Sequence, residues 1–232
     1  MVTIKTFLNK RFNFTFLRHP LNRTISQHSH MMKYPTDKGW FQKLLNSDTE
    51  PLINILKDDN RAFLLGNVMV KYLASDFNPL KNKGLNQFSF DDHPLFYYSQ
   101  QKQKSSFLTK AINNLFKLDF FGITEYYYES MYMLADKLKT EPPEKEYRLQ
   151  TSTIESNFQN LDNESISLLE KINNQDCVLY DTAKKEFEVK MIKFINNKLN
   201  LNLNLNEYII KRKQYLNNLK NKINKKMSYV TG

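Results

Sequence analysis

The 232-residue chain has one cysteine, Cys177, one tryptophan and five glycines. A single thiol excludes an intrachain disulfide and a thiolate zinc site, and it fits a reducing compartment. Five glycines and seven prolines are too few for a many-turned all-β chain, which needs punctuation at short intervals. No apolar run approaches the ~20 residues of a spanning helix, and residues 1–8 lack the continuous apolar centre of a secretory signal. The expectation is a soluble, cytoplasmic chain. Acidic residues are also in deficit, 24 against 34 Lys plus Arg, for a net charge of +10 and a pI of about 9.4. Such a balance favours anionic partners: phosphorylated cofactors, sulfated or acidic substrates, nucleic acid or an anionic surface. Part of the excess is local, with Lys211, Arg212, Lys213, Lys220, Lys222, Lys225 and Lys226 near the end. Hydrophobic content of 41% and aromatic content of 13% supply one good core for a chain of this length.

Periodicity divides the chain. After a basic lead-in over residues 1–12, residues 14–17 read as a strand, and a helix follows from Pro20 to about Lys33. Tyr34-Pro35 ends it. Trp40, Phe41, Leu44 and Leu45 have helical spacing, and Ser47-Asp48-Thr49-Glu50-Pro51 begins a helix with Leu52, Ile55 and Leu56 inward. Residues 60–73 read as one further helix through Phe63, Leu64, Asn67, Val68 and Leu73. Periodicity then lapses over about 74–104, a loop-rich insert of the kind that is often functional. Residues 105–118 are helical, 119–123 a second buried strand, and Thr124 a cap for a helix over 125–138 with Tyr128, Met131, Tyr132 and Leu134 inward. Residues 140–153 form a polar connection. Helices follow over 162–172 and 176–199. Residues 199–206 alternate Leu and Asn, which fits a strand or low-complexity drift, and a basic amphipathic helix over 207–227 closes the chain. The order implies an α/β domain with a small parallel sheet and many surrounding helices. Residues 1–199 read as one domain and 200–232 as a basic helical extension.

One corner carries chemistry. Phe16-Leu17-Arg18-His19-Pro20 leaves a strand and enters a helix, placing Arg18, Arg23 and Ser26 around the turn. Arginine forks match phosphate oxygens, a hydroxyl adds a donor, and a helix start offers free N–H groups. An ordinary strand, a turn and a solvated arginine pair fit the same spacing. His28 and His30 fall on different faces of a helix, so they read as exposed polar residues rather than ligands. His93, before Pro94, reads as loop surface. Tyr126, Tyr127, Tyr128 and Tyr132 suit stacking on a base or sugar, but core and interface is the favoured reading. The C-terminal lysines read as the solvated face of a packed helix, with polyanion binding as the functional alternative.

Four segments together resemble the sulfotransferase family that includes heparan sulfate 2-O-sulfotransferase and bacterial homologues. Residues 16–26, FLRHPLNRTIS, are similar to its FLRDPxxRxxS element. Asn67 with Lys71-Tyr72-Leu73 resembles NxxxxYL. Phe120-Phe121-Gly122-Ile123-Thr124-Glu125, with Ser130 and Leu134, resembles FxGxTExxxxSLxLL. Asn174-Gln175-Asp176 with Leu179-Tyr180, Ala183 and Phe187 resembles NxxDxxLYxxAxxxF. The resemblance implies a P-loop-NTPase-like sulfotransferase fold that uses 3′-phosphoadenylyl sulfate (PAPS) as sulfuryl donor to a hydroxyl acceptor such as a saccharide. It implies that Arg18 and Ser26 bind the 3′-phosphate, with Arg23 supporting, and that Gly122, Thr124 and Glu125 are architectural.

The chain departs from the family pattern in two places. His19 stands where the family has Asp. Nothing in the 17 residues before Arg18 resembles the family's first strand, its HxPKTxGT phosphate loop or the base that follows. Transfer depends on aligning nucleophile and leaving group and on stabilising the charged oxygens, so the expectation is an amino-terminally shortened enzyme, weak or inactive alone, with no catalytic residue assigned. A fragment, a decayed gene and a misplaced start all fit that pattern. A Golgi location would require an anchor upstream. The missing strand should leave the sheet with an uncovered edge. The alternative is a non-enzymatic basic protein binding nucleic acid or anionic surfaces, nucleic acid being the less favoured partner.

Overall fold

The computed structural model describes residues 2–5, 11–33, 50–75, 105–142 and 161–228. The readings on Trp40 to Leu45, on His93, on nearly all of the 74–104 insert and on most of the 140–153 connection lie outside these residues. The described chain is mostly helical with a small sheet, a broad α/β class. It forms two compact units: Met1–Arg18 with Leu118–Leu149 and Asp181–Gly232, and His19–Lys117 with Gln150–Tyr180.

The first unit holds the sheet, in the order β1 (Val2–Lys5), β2 (Arg11–Leu17), β3 (Phe120–Ile123). Aromatic and β-branched residues at Phe12, Phe14, Thr15 and Phe16 favour a pleated strand. β2 runs parallel to β3, with Phe14 opposite Phe120 and Leu17 opposite Ile123. Asp119 sets that register: its Oδ2 accepts from Asn13 N at 2.9 Å, and its own N–H donates to Asn13 O at 3.0 Å. The lead-in is not a plain basic segment, since its β-branched Val-Thr-Ile run forms β1. β1 runs antiparallel to the other edge of β2.

All four residues of β3 are buried. Gly122 is required by close approach: a Cβ there would sit 2.7 Å from the Phe16 ring and 2.9 Å from Ser130 Cβ. Thr124 does not cap a helix; its hydroxyl donates to Glu125 Oε2 at 3.2 Å, and residues Thr124–Tyr126 form a 3₁₀ turn before the helix Tyr127–Leu138. That helix turns Glu129, Ser130, Tyr132, Leu134 and Ala135 inward, while Tyr128 and Met131 are only half-buried. Ser130 Oγ accepts from Ile123 N at 3.0 Å and donates to Ile123 O at 3.1 Å, fixing the helix to the strand end.

The closing helix, Leu205–Ser228, buries Tyr208, Leu219 and Ile223. Ile209 and Ile210 are exposed. Residues 201–204, where Leu and Asn alternate, form no strand.

The second unit is helical: α1 (Pro20–Lys33), α2 (Leu52–Lys57), α3 (Asp59–Leu65), α4 (Val68–Ala74), α5 (Ser105–Phe116) and α7 (Asn163–Ile172). The helix Tyr127–Leu138 of the first unit is α6. α8 (Asn174–Leu199) contributes its first turns to the second unit and the rest to the first, and Leu205–Ser228 is α9. Pro20 occupies the first position of α1, where its missing N–H leaves nothing unsatisfied. Asp58 caps α3 through Asn60 N and Arg61 N, and Asp162 caps α7 through Ser165 N. Leu21, Ile25, Leu52, Ile55, Leu56, Leu65 and Leu169 form a shared core. The single helix read over 60–73 is two, α3 and α4, broken at Gly66-Asn67. A Cβ on Gly66 would meet the Ile172 carbonyl oxygen at 2.3 Å, and Asn67 takes the left-handed conformation with φ of 49°.

Candidate functional site

The carboxyl ends of two parallel strands are where α/β sheets commonly present ligand-binding groups. In the first unit this edge carries Arg18, directly after β2, and Thr124-Glu125, directly after β3. Arg18 is half-buried, and its guanidinium makes no hydrogen bond or ion pair among the described residues. Burial lowers its pKa from the ordinary arginine value, and the nearby Glu125 charge opposes that shift. A guanidinium that has lost part of its hydration and keeps its donors unused is primed for an anion.

The other arginine beside this edge is committed. Arg212 Nη2 donates to Glu129 Oε2 at 2.8 Å and its Nε to Oε1, while Tyr208 Oη donates to Oε1 at 2.9 Å. Glu129 is fully buried, so this pair satisfies a carboxylate that could not stand alone. Hydrogen bonding to Glu129 first, and its charge, raise the Arg212 pKa against burial; burial and Glu129 push that of the Tyr208 hydroxyl up. Tyr126 stacks on Phe187 with ring centroids 6.0 Å apart and donates to Glu188 Oε1 at 2.7 Å. The tyrosines of this turn therefore serve packing.

In the second unit, residues from three of the segments singled out in the sequence meet. Arg23 Nη2 donates to Leu65 O at 2.8 Å, to Asn173 Oδ1 at 3.0 Å and to Thr24 Oγ1 at 2.9 Å, and Nη1 donates to Gln27 Oε1 at 2.8 Å. Nη2 also stands 3.9 Å from Asp176 Oδ2. Those donors brace the end of α3 and the α7–α8 junction. Ser26, on the same helix, is half-buried.

Asn67 and Asp176 cap each other's helices. Asn67 Oδ1 accepts from Gln175 N and Asp176 N, both at 3.0 Å, at the start of α8. The Asp176 carboxylate accepts from Met69 N at 3.0 Å and Val70 N at 2.8 Å, at the start of α4. Asp176 is fully buried, which pushes its carboxyl pKa up against the opposing pull of Arg23, these two N–H bonds and Lys71. Lys71 is 4% exposed and donates to Phe63 O, with its ammonium 3.7 Å from the Phe63 ring centre. Burial lowers its pKa to about 7, with Asp176 opposing.

His19 packs edge-on against Tyr180, with centroids 5.5 Å apart, so the histidine at this turn is a packing residue. His28 is not a free surface histidine: it is half-buried, its Nε2 lies 2.9 Å from Glu50 O, and burial lowers its pKa. Among the described residues no group of three His, Cys, Asp or Glu side chains could hold a metal ion, and no helix is long and apolar enough to cross a membrane.

The structure thus gathers Arg23, Asn67 and Asp176 into one buried junction of the second unit, and Arg18, in the first unit, makes no hydrogen bond or ion pair among the described residues. Sequence spacing alone did not single out the Asn67–Asp176 exchange or Lys71. Their only signal was their membership of two recurring segments. No protein-family model matches the chain, and no curated protein matches it.

Proposed function

We propose that the chain is a sulfotransferase-type domain that binds the 3′-phosphate end of PAPS, with weak or no transfer by this chain alone. The carrying observation is Arg18: a half-buried cation at the carboxyl end of a parallel strand pair that makes no hydrogen bond or ion pair among the described residues, where the guanidinium ends of Arg23 and Arg212 are engaged. An arginine fork matches a phosphate dianion in shape and charge. Ser26 enters as second donor on the strength of the sequence motif, and Arg23 braces the helix that carries it. The sequence lacks the loop lysine and base that would align the sulfuryl group, which is why binding is proposed ahead of turnover. The P-loop-like fold and the hydroxyl acceptor, such as a saccharide, belong to the same proposal.

The test is thermal stability in the presence of 3′,5′-adenosine bisphosphate and of 5′-AMP, which lacks the 3′-phosphate. A ligand of the native state at a hundred times its Kd stabilises by about 2.7 kcal/mol. The bisphosphate alone should raise the Tm. An equal rise with both, or none, would overturn the proposal.

A second reading has its own support. Lys211, Lys213, Lys222 and Lys225 on α9 are exposed, a basic face suited to an anionic surface or polyanion. Binding of heparin that falls steeply with salt and disappears when these four lysines are changed to Glu would favour that reading.

A further inference from the structure

α8 carries two apolar stripes. Phe187, Met191 and Ile195 are buried on its inner side. Val189, 68% exposed, and half-buried Ile192 lie on another side, where a surface helix ordinarily presents polar residues. Beside them the chain turns: Asn200 takes a left-handed φ of 56°, and residues 201–204 lead into α9. Between this α8 face and the turn lies a groove of about 740 Å³, with Val189, Ile192, Leu201 and Leu205 as its apolar lining. The whole groove belongs to the first unit.

The groove is pre-formed. Asn196 Nδ2 donates to Leu203 O at 2.9 Å, its Oδ1 accepts from Leu203 N at 3.0 Å, and its backbone oxygen accepts from Leu201 N at 3.0 Å. Asn204 and Glu207 close the next turn reciprocally, Asn204 N donating to Glu207 Oε2 at 2.8 Å and Glu207 N to Asn204 Oδ1 at 3.0 Å. These bonds hold the wall before anything binds, which lowers the cost of binding.

The open charge of the groove has one sign. Its charged lining is Lys185, Glu188 and Lys193. Glu188 accepts from Tyr126 Oη at 2.7 Å and stands 3.9 Å from Lys184 Nζ. Lys185 and Lys193 are exposed and join no hydrogen bond or ion pair among the described residues. One stands four residues before Val189 and the other four after, so on the helix both flank the apolar floor. A second copy of this chain, with its net charge of +10, would bring like charge to that rim. With Val189 and Leu201 exposed, the groove is too open to enclose a small apolar ligand, of which pockets bury about 70–90%. From Lys185 to Asn196 the face runs about 17 Å, or about three helical turns.

We propose that this groove docks an acidic amphipathic helix of a partner protein, about three turns long. Its apolar side chains, at i, i+3 or i+4 and i+7, pack on Val189, Ile192, Leu201 and Leu205, and its flanking carboxylates face Lys185 and Lys193. A helix laid in an apolar groove is read through such anchors, and the rim charges decide which helix is admitted. The inference stands independently of the nucleotide reading.

The test uses the full chain and a fluorescently labelled synthetic helix with Leu at the anchor spacings and Glu on both flanks, followed by anisotropy. A second peptide has Lys in place of every Glu. Wild type should bind the Glu peptide, more weakly as salt rises, and should not measurably bind the Lys peptide. Val189→Asp should weaken Glu-peptide binding about tenfold or more. Lys185→Glu with Lys193→Glu should invert the preference, losing the Glu peptide and gaining the Lys peptide. All three positions are exposed, so these variants should melt like the wild type. Lys222→Glu with Lys225→Glu, which removes the same charge further along α9, should leave binding unchanged.

No binding of the Glu peptide by wild type would overturn the proposal. Binding that survives either Val189→Asp or the charge reversal would place the peptide elsewhere and overturn it too. Oleate bound in the groove while neither peptide binds would assign it to a small amphiphile, and a wild-type dimer that Val189→Asp dissociates would assign it to a second copy. Either result overturns the proposal.

Discussion

Changing Asn67 to Ala should be among the most damaging single substitutions in the second unit. The side chain is 2% exposed and supplies three bonds: Oδ1 to Gln175 N and Asp176 N at 3.0 Å, and Nδ2 to Asn174 Oδ1 at 3.2 Å. Removing it orphans the buried Asp176 N–H at the start of a 26-residue helix, α8, while Gln175 N keeps its bond to Asn174 Oδ1 at 2.7 Å. A lost cap costs about 0.5–2 kcal/mol, and burial of an unsatisfied donor brings each group to about 1–3 kcal/mol. One such group gives roughly 1–3 kcal/mol. The backbone adds a separate term. With φ at 49°, alanine meets the left-handed penalty of about 1–2 kcal/mol that asparagine partly escapes and glycine avoids. Asn67→Ala should thus lose about 2–5 kcal/mol, and Asn67→Gly about 1 kcal/mol less.

Thermal unfolding followed by circular dichroism would show this as a Tm drop on the order of 10 °C for Asn67→Ala, with Asn67→Gly between it and wild type. A drop under about 2 °C would refute the reciprocal cap. Greater damage from glycine than from alanine would refute the backbone term.

Lys71 gives the unit a pH signature. Its pKa falls from 10.5 in the unfolded chain to about 7 in the fold. Between those values the unfolded chain holds more protons, so stability should rise as pH increases from about 7 to 10. Denaturant melts of Lys71→Met should lack that rise, and a wild-type slope that survives the substitution would count against it. Gly66→Ala forces a Cβ to 2.3 Å from a backbone oxygen. It should lower the Tm more than Gly122→Ala, whose nearest atom belongs to the Phe16 side chain; overpacking costs about 1–3 kcal/mol where neighbours can yield. Equal melting of the two variants would contradict that ranking.

Much of the architecture was legible because its signals are local. Pro20 starts α1, Asp162 caps α7, and the apolar spacing of Leu179, Ala183, Phe187 and Met191 is buried as read. What escaped depends on distant partners. Continuous apolar spacing over 60–73 hid the break at Gly66-Asn67, because that break serves a helix start more than a hundred residues away. Thr124 carries a capping residue's chemistry, but Ser130 and Gly122 draw the chain into a 3₁₀ turn first. A four-residue lead-in strand declares itself only once β2 offers an edge. At the candidate site, spacing identified Arg18 and grouped it with Arg23. The structure separates the two by what their donors touch, Leu65 and Asn173 for Arg23 and no described residue for Arg18.

Calorimetric titration of 3′,5′-adenosine bisphosphate into wild-type protein and Arg18→Ala tests the central claim most directly. Removing a charge-assisted grip worth about 1.5–3 kcal/mol should weaken binding by about tenfold or more, with the Tm of the free protein little changed. Unchanged affinity in Arg18→Ala, or no binding by the wild type, would contradict the account.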